Sequence, residues 1–282
     1  MTQRALLIAL AFLGAVPGQV PTFKSGVEAV RVDVLVTRDG RPVTNLAPVD
    51  FEVLDNGVPQ RIDYAAFEQL PLNVVFAIDA SSSVEGERAQ RLREACRAVL
   101  AELNAQDKAG LVVFSDAVVI RSGLSRDLAA VGAAMALSLP IGETSLVDAA
   151  HASLLLAESE PGRALVIVFS DGIEVSSYLP AEAVVETAKR ASAVVYGVTL
   201  RGVARPGFVR ELADTSGGDS FEITSPGDIE PAFRRILDEF RHRYLVSYTP
   251  AGVGRAGWHR LQVSVKRRGV TVKARPGYFT AP

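Results

Sequence analysis

The sequence predicts an α/β protein: a doubly wound, mostly parallel sheet flanked by a β-sandwich built from the N- and C-terminal strands. Two observations carry this. Between Leu72 and Phe240, short apolar runs alternate with segments whose apolar residues recur at helical spacing, the pattern of a parallel sheet covered on both faces. Outside that stretch, both ends of the chain show period-two alternation, the mark of half-buried strands. Neither end has enough strands to bury a core alone, so the economical arrangement pairs both ends into one unit with the α/β segment inserted between them.

The N-terminus comes first. Arg4 precedes an apolar run, Ala5 to Val16, that Pro17 and Gly18 break. The run is shorter than the ~20 residues a spanning helix needs, and it reads as an export signal over 1–20. Residues 21–70 form the N-terminal β segment. There Val30, Val32, Val34 and Val36 alternate with Arg31, Asp33 and Leu35. Asp39-Gly40 is a turn, and Asn56-Gly57, between Phe51–Leu54 and Pro59–Tyr64, reads as a tight hairpin.

The α/β domain is expected over 71–241. Strands fall at Asn73–Asp79, Gly110–Ser115, Ala164–Phe169, Ala193–Thr199 and Ser220–Ile223, with an antiparallel edge near Val118–Ser122. Helices fall near Glu87–Asn104, Leu128–Ser138, Leu146–Ser159, Pro180–Ala191, Arg205–Thr215 and Asp228–Phe240. Residues 242–282 return to strands: Tyr244, Val246 and Tyr248, then Leu261, Val263 and Val265, then Val270, Val272 and Ala274.

The 282 residues are 48% hydrophobic and 22% charged, enough for a sizeable core. With 30 basic and 32 acidic residues the net charge is -2, which supplies no field for nucleic acid or anionic lipid. The clusters Arg241-His242-Arg243 and Lys266-Arg267-Arg268 read as solvated strand or turn edges. Cys96 is the sole cysteine and falls on the apolar stripe of a helix, so no intrachain disulfide forms. No second hydrophobic span is read near the C-terminus, and a secreted or periplasmic location is expected.

Chemistry concentrates at the ends of two strands. Asp79-Ala80-Ser81-Ser82-Ser83 closes the first α/β strand, Gly142-Glu143-Thr144 precedes a helix, and Ser170-Asp171-Gly172 closes a later strand. In an open sheet of this kind, ligands bind beyond the carboxyl ends of the strands. Two carboxylates and three hydroxyls are oxygen donors suited to a hard divalent cation. Each residue also has an ordinary use: Ser83 and Thr144 as helix caps, Asp171-Gly172 as a turn. Asp148 is placed to orient the helix terminus, Asp116 to make a turn, and Glu143 and Glu174 to flank the site.

These residues resemble the metal-ion-dependent adhesion site of the von Willebrand factor type A domain, in which Asp-x-Ser-x-Ser is followed by a loop Thr and then by an Asp after a later strand. The resemblance covers about Leu72 to Phe240 and implies a Rossmann-like sheet. It assigns Asp79, Ser81, Ser83, Thr144 and Asp171 to the metal. The three hydroxyls would coordinate directly and the two carboxylates largely through water. Mg2+ is the first choice, with Mn2+ or Ca2+ open. It further implies a protein partner whose acidic residue completes the coordination. The stretches Leu46–Val53, Tyr244–Pro250 and Arg275–Tyr278 are similar to those of a group of secreted bacterial proteins related to this family.

An enzyme is not expected. His151, His242 and His259 lack zinc-ligand spacing and suit structural roles. Neither Gly-x-Ser-x-Gly nor Gly-x-x-x-x-Gly-Lys occurs. A Mg2+-dependent phosphatase of the haloacid dehalogenase type also begins with Asp at a strand end. It requires an acid two residues later, where this chain has Ser81, which cannot protonate a leaving group. A structural module with an empty or vestigial metal site is the other alternative.

Overall fold

The computed structural model describes residues 29–67, 70–81, 84, 86–135, 142–170, 176–201, 207–254 and 256–280. The expected export signal over 1–20 lies outside them. The chain opens with β1 (Val30–Arg38), β2 (Arg41–Pro42), β3 (Phe51–Asp55), β4 (Val58–Gln60) and β5 (Ile62–Ala66).

The α/β unit follows: β6 (Leu72–Asp79), α1 (Glu87–Glu102), β7 (Lys108–Phe114), β8 (Val118–Ser125), α2 (Leu128–Ala134), α3 (Leu146–Ala157), β9 (Arg163–Ser170), α4 (Ala181–Arg190), β10 (Val194–Leu200), α5 (Gly207–Ser216), β11 (Ser220–Ile223) and α6 (Ile229–Arg241). Its sheet runs β11-β10-β9-β6-β7-β8, parallel except for β8. Every residue of β6 and β9 is buried, which is why Val74–Ile78 and Ala164–Phe169 read as unbroken apolar runs, whereas β8 at the edge exposes Val119 and Ile120. Helices α1, α2 and α6 cover one face and α3, α4 and α5 the other. Helix α1 stops at Glu102, short of the expected Asn104. The buried Asp107 carboxylate accepts from Asn104 N at 2.8 Å and from Leu72 N at 2.9 Å, closing the turn and fixing the start of β6.

The chain ends with β12 (Tyr244–Tyr248), β13 (Gly257–Val265), β14 (Thr271–Lys273) and β15 (Gly277–Thr280). Strands from both ends interleave into two sheets, β14-β1-β12-β5 with β2 beside β1, and β15-β13-β3-β4. They share one apolar cluster that includes Val32, Val34, Phe51, Val53, Val246 and Leu261. Asn56 and Gly57 both take positive φ, 47° and 82°, the backbone a two-residue hairpin with strand-like twist requires. The return strand of that hairpin is shorter than expected. After Gln60 the chain leaves β3 and crosses to the other sheet, where β5 pairs with β12. The Gln60 amide stays behind, bonded to Ala251 O at 3.0 Å and Ala251 N at 2.9 Å, while Ala65 turns into the shared core.

A buried polar cluster joins the two sheets. Asp55 on β3 accepts from Tyr248 OH (2.8 Å) on β12 and Tyr278 OH (2.7 Å) on β15, and pairs with His259 Nδ1 (2.8 Å) on β13. A carboxylate accepts, so His259 donates its Nδ1–H. Burial foremost, then Asp55 and Tyr278, pushes the Tyr248 hydroxyl up; burial and Asp55 do the same to Tyr278, so both remain neutral donors. Two of the three stretches singled out in the flanks meet here, through Tyr248 and Tyr278 at Asp55, and the third joins them through Tyr244, whose OH accepts from Leu46 N at 2.9 Å.

Arginines tie this unit to the α/β unit. Arg163 pairs with Asp33 and donates to Phe240 O at 3.2 Å. Arg275 donates to Ala191 O (2.7 Å) and Lys189 O (2.9 Å), satisfying the carbonyls that end α4. Arg243 corrects the reading of Arg241-His242-Arg243 as a solvated edge. Its side chain is 0% exposed, donating to Tyr196 OH at 2.8 Å and Gly217 O at 2.7 Å.

Candidate metal centre

The strand order dictates where a ligand can sit. From β6 the chain goes outward to β7 and β8, then returns to β9 on the other side of β6 and continues to β10 and β11. The order reverses between β6 and β9, and in an open α/β sheet that reversal leaves a crevice at the carboxyl ends. Asp79 is the last residue of β6 and Ser170 the last of β9. They meet: Ser170 Oγ donates to Asp79 Oδ2 at 2.8 Å, and Ser81 N donates to Asp79 Oδ1 at 2.9 Å. Both Asp79 oxygens are therefore oriented, and the chain beyond them is bent so that Ser81 turns back over the strand end. Asp79 is 1% exposed and Ser81 3%.

Thr144 arrives from β7's side. Ala80 N donates to Phe114 O at 2.7 Å, and Ser145 N to Ser115 O at 2.7 Å, so the Thr144 loop is anchored to the strand next to β6. Gly142 enters this loop at φ 84°, where a Cβ would lie 2.8 Å from Asp116 Cγ; only glycine fits. Thr144 is 4% exposed, and among the described residues its hydroxyl caps no helix N–H. The cap of α3 comes instead from Ser177, whose Oγ accepts from Val147 N (3.1 Å) and Asp148 N (3.2 Å). Helix α1 likewise has Gly86 at its N-cap.

Of the five expected ligands, Asp79, Ser81 and Thr144 lie in this loop cluster at the carboxyl edge. Ser83 and Asp171 lie outside the described residues, as does Glu174. Among the described residues no three His, Cys, Asp or Glu gather. One buried carboxylate with hydroxyls beside it is a donor set that fits a hard cation retaining water.

Sequence reasoning gave Asp148 an orienting role and missed the serines that hold the loops together with it. Asp148 accepts from Tyr178 N and Leu179 N, both at 2.9 Å, and Ser145 Oγ lies 2.8 Å from Ser176 Oγ. The segment after β9 is thereby fastened to the start of α3, with Tyr178 94% exposed at its crest. The signal was present: Ser176-Ser177 is a pair of short hydroxyl side chains ahead of the Pro180 that starts the next helix. Ser177→Ala removes an N-cap made across the fold. It should lower stability by about 1 kcal/mol in denaturant titration, and no change would mean the cap is replaced by water.

Residues 74–174 match the von Willebrand factor type A domain family. No curated protein matches the chain. A von Willebrand factor type A structure from Catenulispora acidiphila superposes with a TM-score of 0.57 at 12% identity, covering 92% of this chain and 76% of that one. Proximal thread matrix protein 1 from the mussel byssus, with a zinc-occupied MIDAS motif, gives 0.57 at 16% identity over 66% of this chain. This chain covers 49% of that mussel protein. PilB minor pilin from Streptococcus sanguinis gives 0.50 at 12%, with 62% of each chain covered. At such identities the likeness is one of fold. The α/β unit thus has the fold of a von Willebrand factor type A domain, and residues 74–174 within it match that family.

Proposed function

We propose that the chain is an exported, non-catalytic binding module. In this reading Asp79, Ser81, Ser83, Thr144 and Asp171 hold a divalent cation, Mg2+ first among candidates, and the cation captures an acidic side chain of a protein partner. The single observation that carries the reading is the buried Asp79 carboxylate at the β6–β9 switch point, both oxygens oriented by neighbours, with buried Ser81 and Thr144 in the same loop cluster. Two carboxylates and three neutral hydroxyls bring a charge of about -2 to a dication, so an anionic ligand is not repelled. The zinc-occupied motif of the mussel protein supports use of a divalent metal by this fold.

The domain division that goes with this is an export signal over 1–20 and a metal-binding domain over 71–241. That domain is inserted into a β-sandwich made from 21–70 and 242–282. The sandwich holds both ends of the insert, leaving the carboxyl edge of the sheet to the partner. Export rests on the Arg4 and Ala5–Val16 pattern, and among the described residues no helix is long and apolar enough to cross a membrane.

Thermal unfolding in EDTA, Mg2+, Mn2+, Ca2+ or Zn2+ tests the site. A cation that binds only the folded chain stabilises it by ~2.7 kcal/mol at a hundredfold excess over Kd. The melting temperature of the parent should rise with cation concentration, and that of Asp79→Ala should not. Equal shifts in both would place the cation elsewhere. No shift with any cation would favour a structural module whose site is empty.

A further inference from the structure

We infer that the cavity between α1 and the β6–β7 part of the sheet binds a small anionic amphiphile, a medium-chain carboxylate, with its chain inside the cavity and its carboxylate on Arg93. The cavity measures about 350 Å3, at the small end of the ~300–1,000 Å3 of ligand pockets. Its wall is apolar: Ile78, Leu92, Cys96, Leu111, Val113 and Met135. Such a surface suits an alkyl chain, because an apolar void forfeits the dispersion contacts that an occupant restores.

Arg93 sets the charge of the occupant. It is half-buried on α1 and lines the same cavity, yet no carboxylate among the described residues pairs with it. The contrast with its neighbour is direct, since Arg91 is paired with both Glu87 and Glu94. A guanidinium at the wall of an apolar cavity is matched by a carboxylate on an apolar tail, through charge-assisted and planar hydrogen bonds. The carboxyl group at the cavity, Asp79, already accepts from Ser81 N and Ser170 Oγ, so the anionic head belongs at the Arg93 end. This inference does not rest on the metal reading, and it is tested without metal.

Calorimetric titration in EDTA with octanoate and with 1-octanol separates tail from head. Octanoate should bind one to one, at least about tenfold more tightly than octanol. Arg93→Gln should bring octanoate down to the affinity of octanol and leave octanol unchanged. Ala89→Phe, which fills the cavity from α1, should abolish both. Octanoate binding no tighter than octanol, or unaffected by Arg93→Gln, would overturn the inference.

Discussion

Asp55→Ala should cost about 3–5 kcal/mol, the largest loss expected of any single substitution in the flanking sheets. The carboxylate is 0% exposed and is the common acceptor for Tyr248, Tyr278 and His259. Removing it leaves two hydroxyls and an imidazole N–H in a core closed to water, each orphan carrying a penalty of ~1–3 kcal/mol. The loss extends beyond local packing, because the four residues come from β3, β12, β13 and β15, and Tyr248 is the member that belongs to the other sheet. Against a typical total stability of ~5–15 kcal/mol, the variant sits near the edge of folding. Asp55→Asn keeps one carbonyl acceptor but offers an amide N–H2 where His259 needs an acceptor, so it should fall between parent and Ala. Urea titration of the three proteins checks the order. A cost below about 1 kcal/mol for Asp55→Ala would mean that the two sheets are held by the apolar cluster alone.

How much of this was legible in the sequence depends on the physics of each element. The α/β segment was legible because strands buried on both faces must be continuously apolar and covering helices must carry a stripe. All six strands and six helices appear where those patterns place them, with ends displaced by local bonds such as those of Asp107. The placement of Asp79 and Thr144 at one edge was legible because strand ends and helix starts in such a sheet face that edge. Ser170 and Ser177 were not, because a lone hydroxyl carries no periodicity and its role depends on which loops the topology brings together. Arg243 was misread for a related reason. A run of basic residues at a helix end ordinarily lies in water, and nothing local shows that the next strand draws the chain inward past Tyr196 and Gly217. The pairing of the two chain ends followed from counting strands, but the crossing of β5 between sheets did not, since Pro59–Tyr64 alternates equally well as one strand.

Arg243→Met should cost about 3–5 kcal/mol although it replaces a charge with an apolar chain of similar length. Only the donor is removed, and each buried acceptor left unsatisfied costs ~1–3 kcal/mol. Gly217 O, Tyr196 OH and Asp33 O, bonded by Arg243 at 2.7, 2.8 and 3.3 Å, stay behind. The charge is also balanced within the fold. Tyr196 OH leads on to Glu239, 5% exposed, which accepts from Arg235 Nε at 2.8 Å, so the variant leaves an acidic group with less compensation. Arg243→Lys retains the charge and loses the fork that reaches Tyr196, Gly217 and Asp33 together, and it should recover less than half of the loss. Position makes the effect more than additive with packing. Arg243 lies where the chain passes from α6 into β12, and its bonds reach β10, the loop after α5 and β1. Calorimetry of the parent should therefore give a single transition for both units, and Arg243→Met should separate it into two. A variant that melts in one transition, within about 1 kcal/mol of the parent, would show that Arg163 and Arg275 are sufficient to join the units.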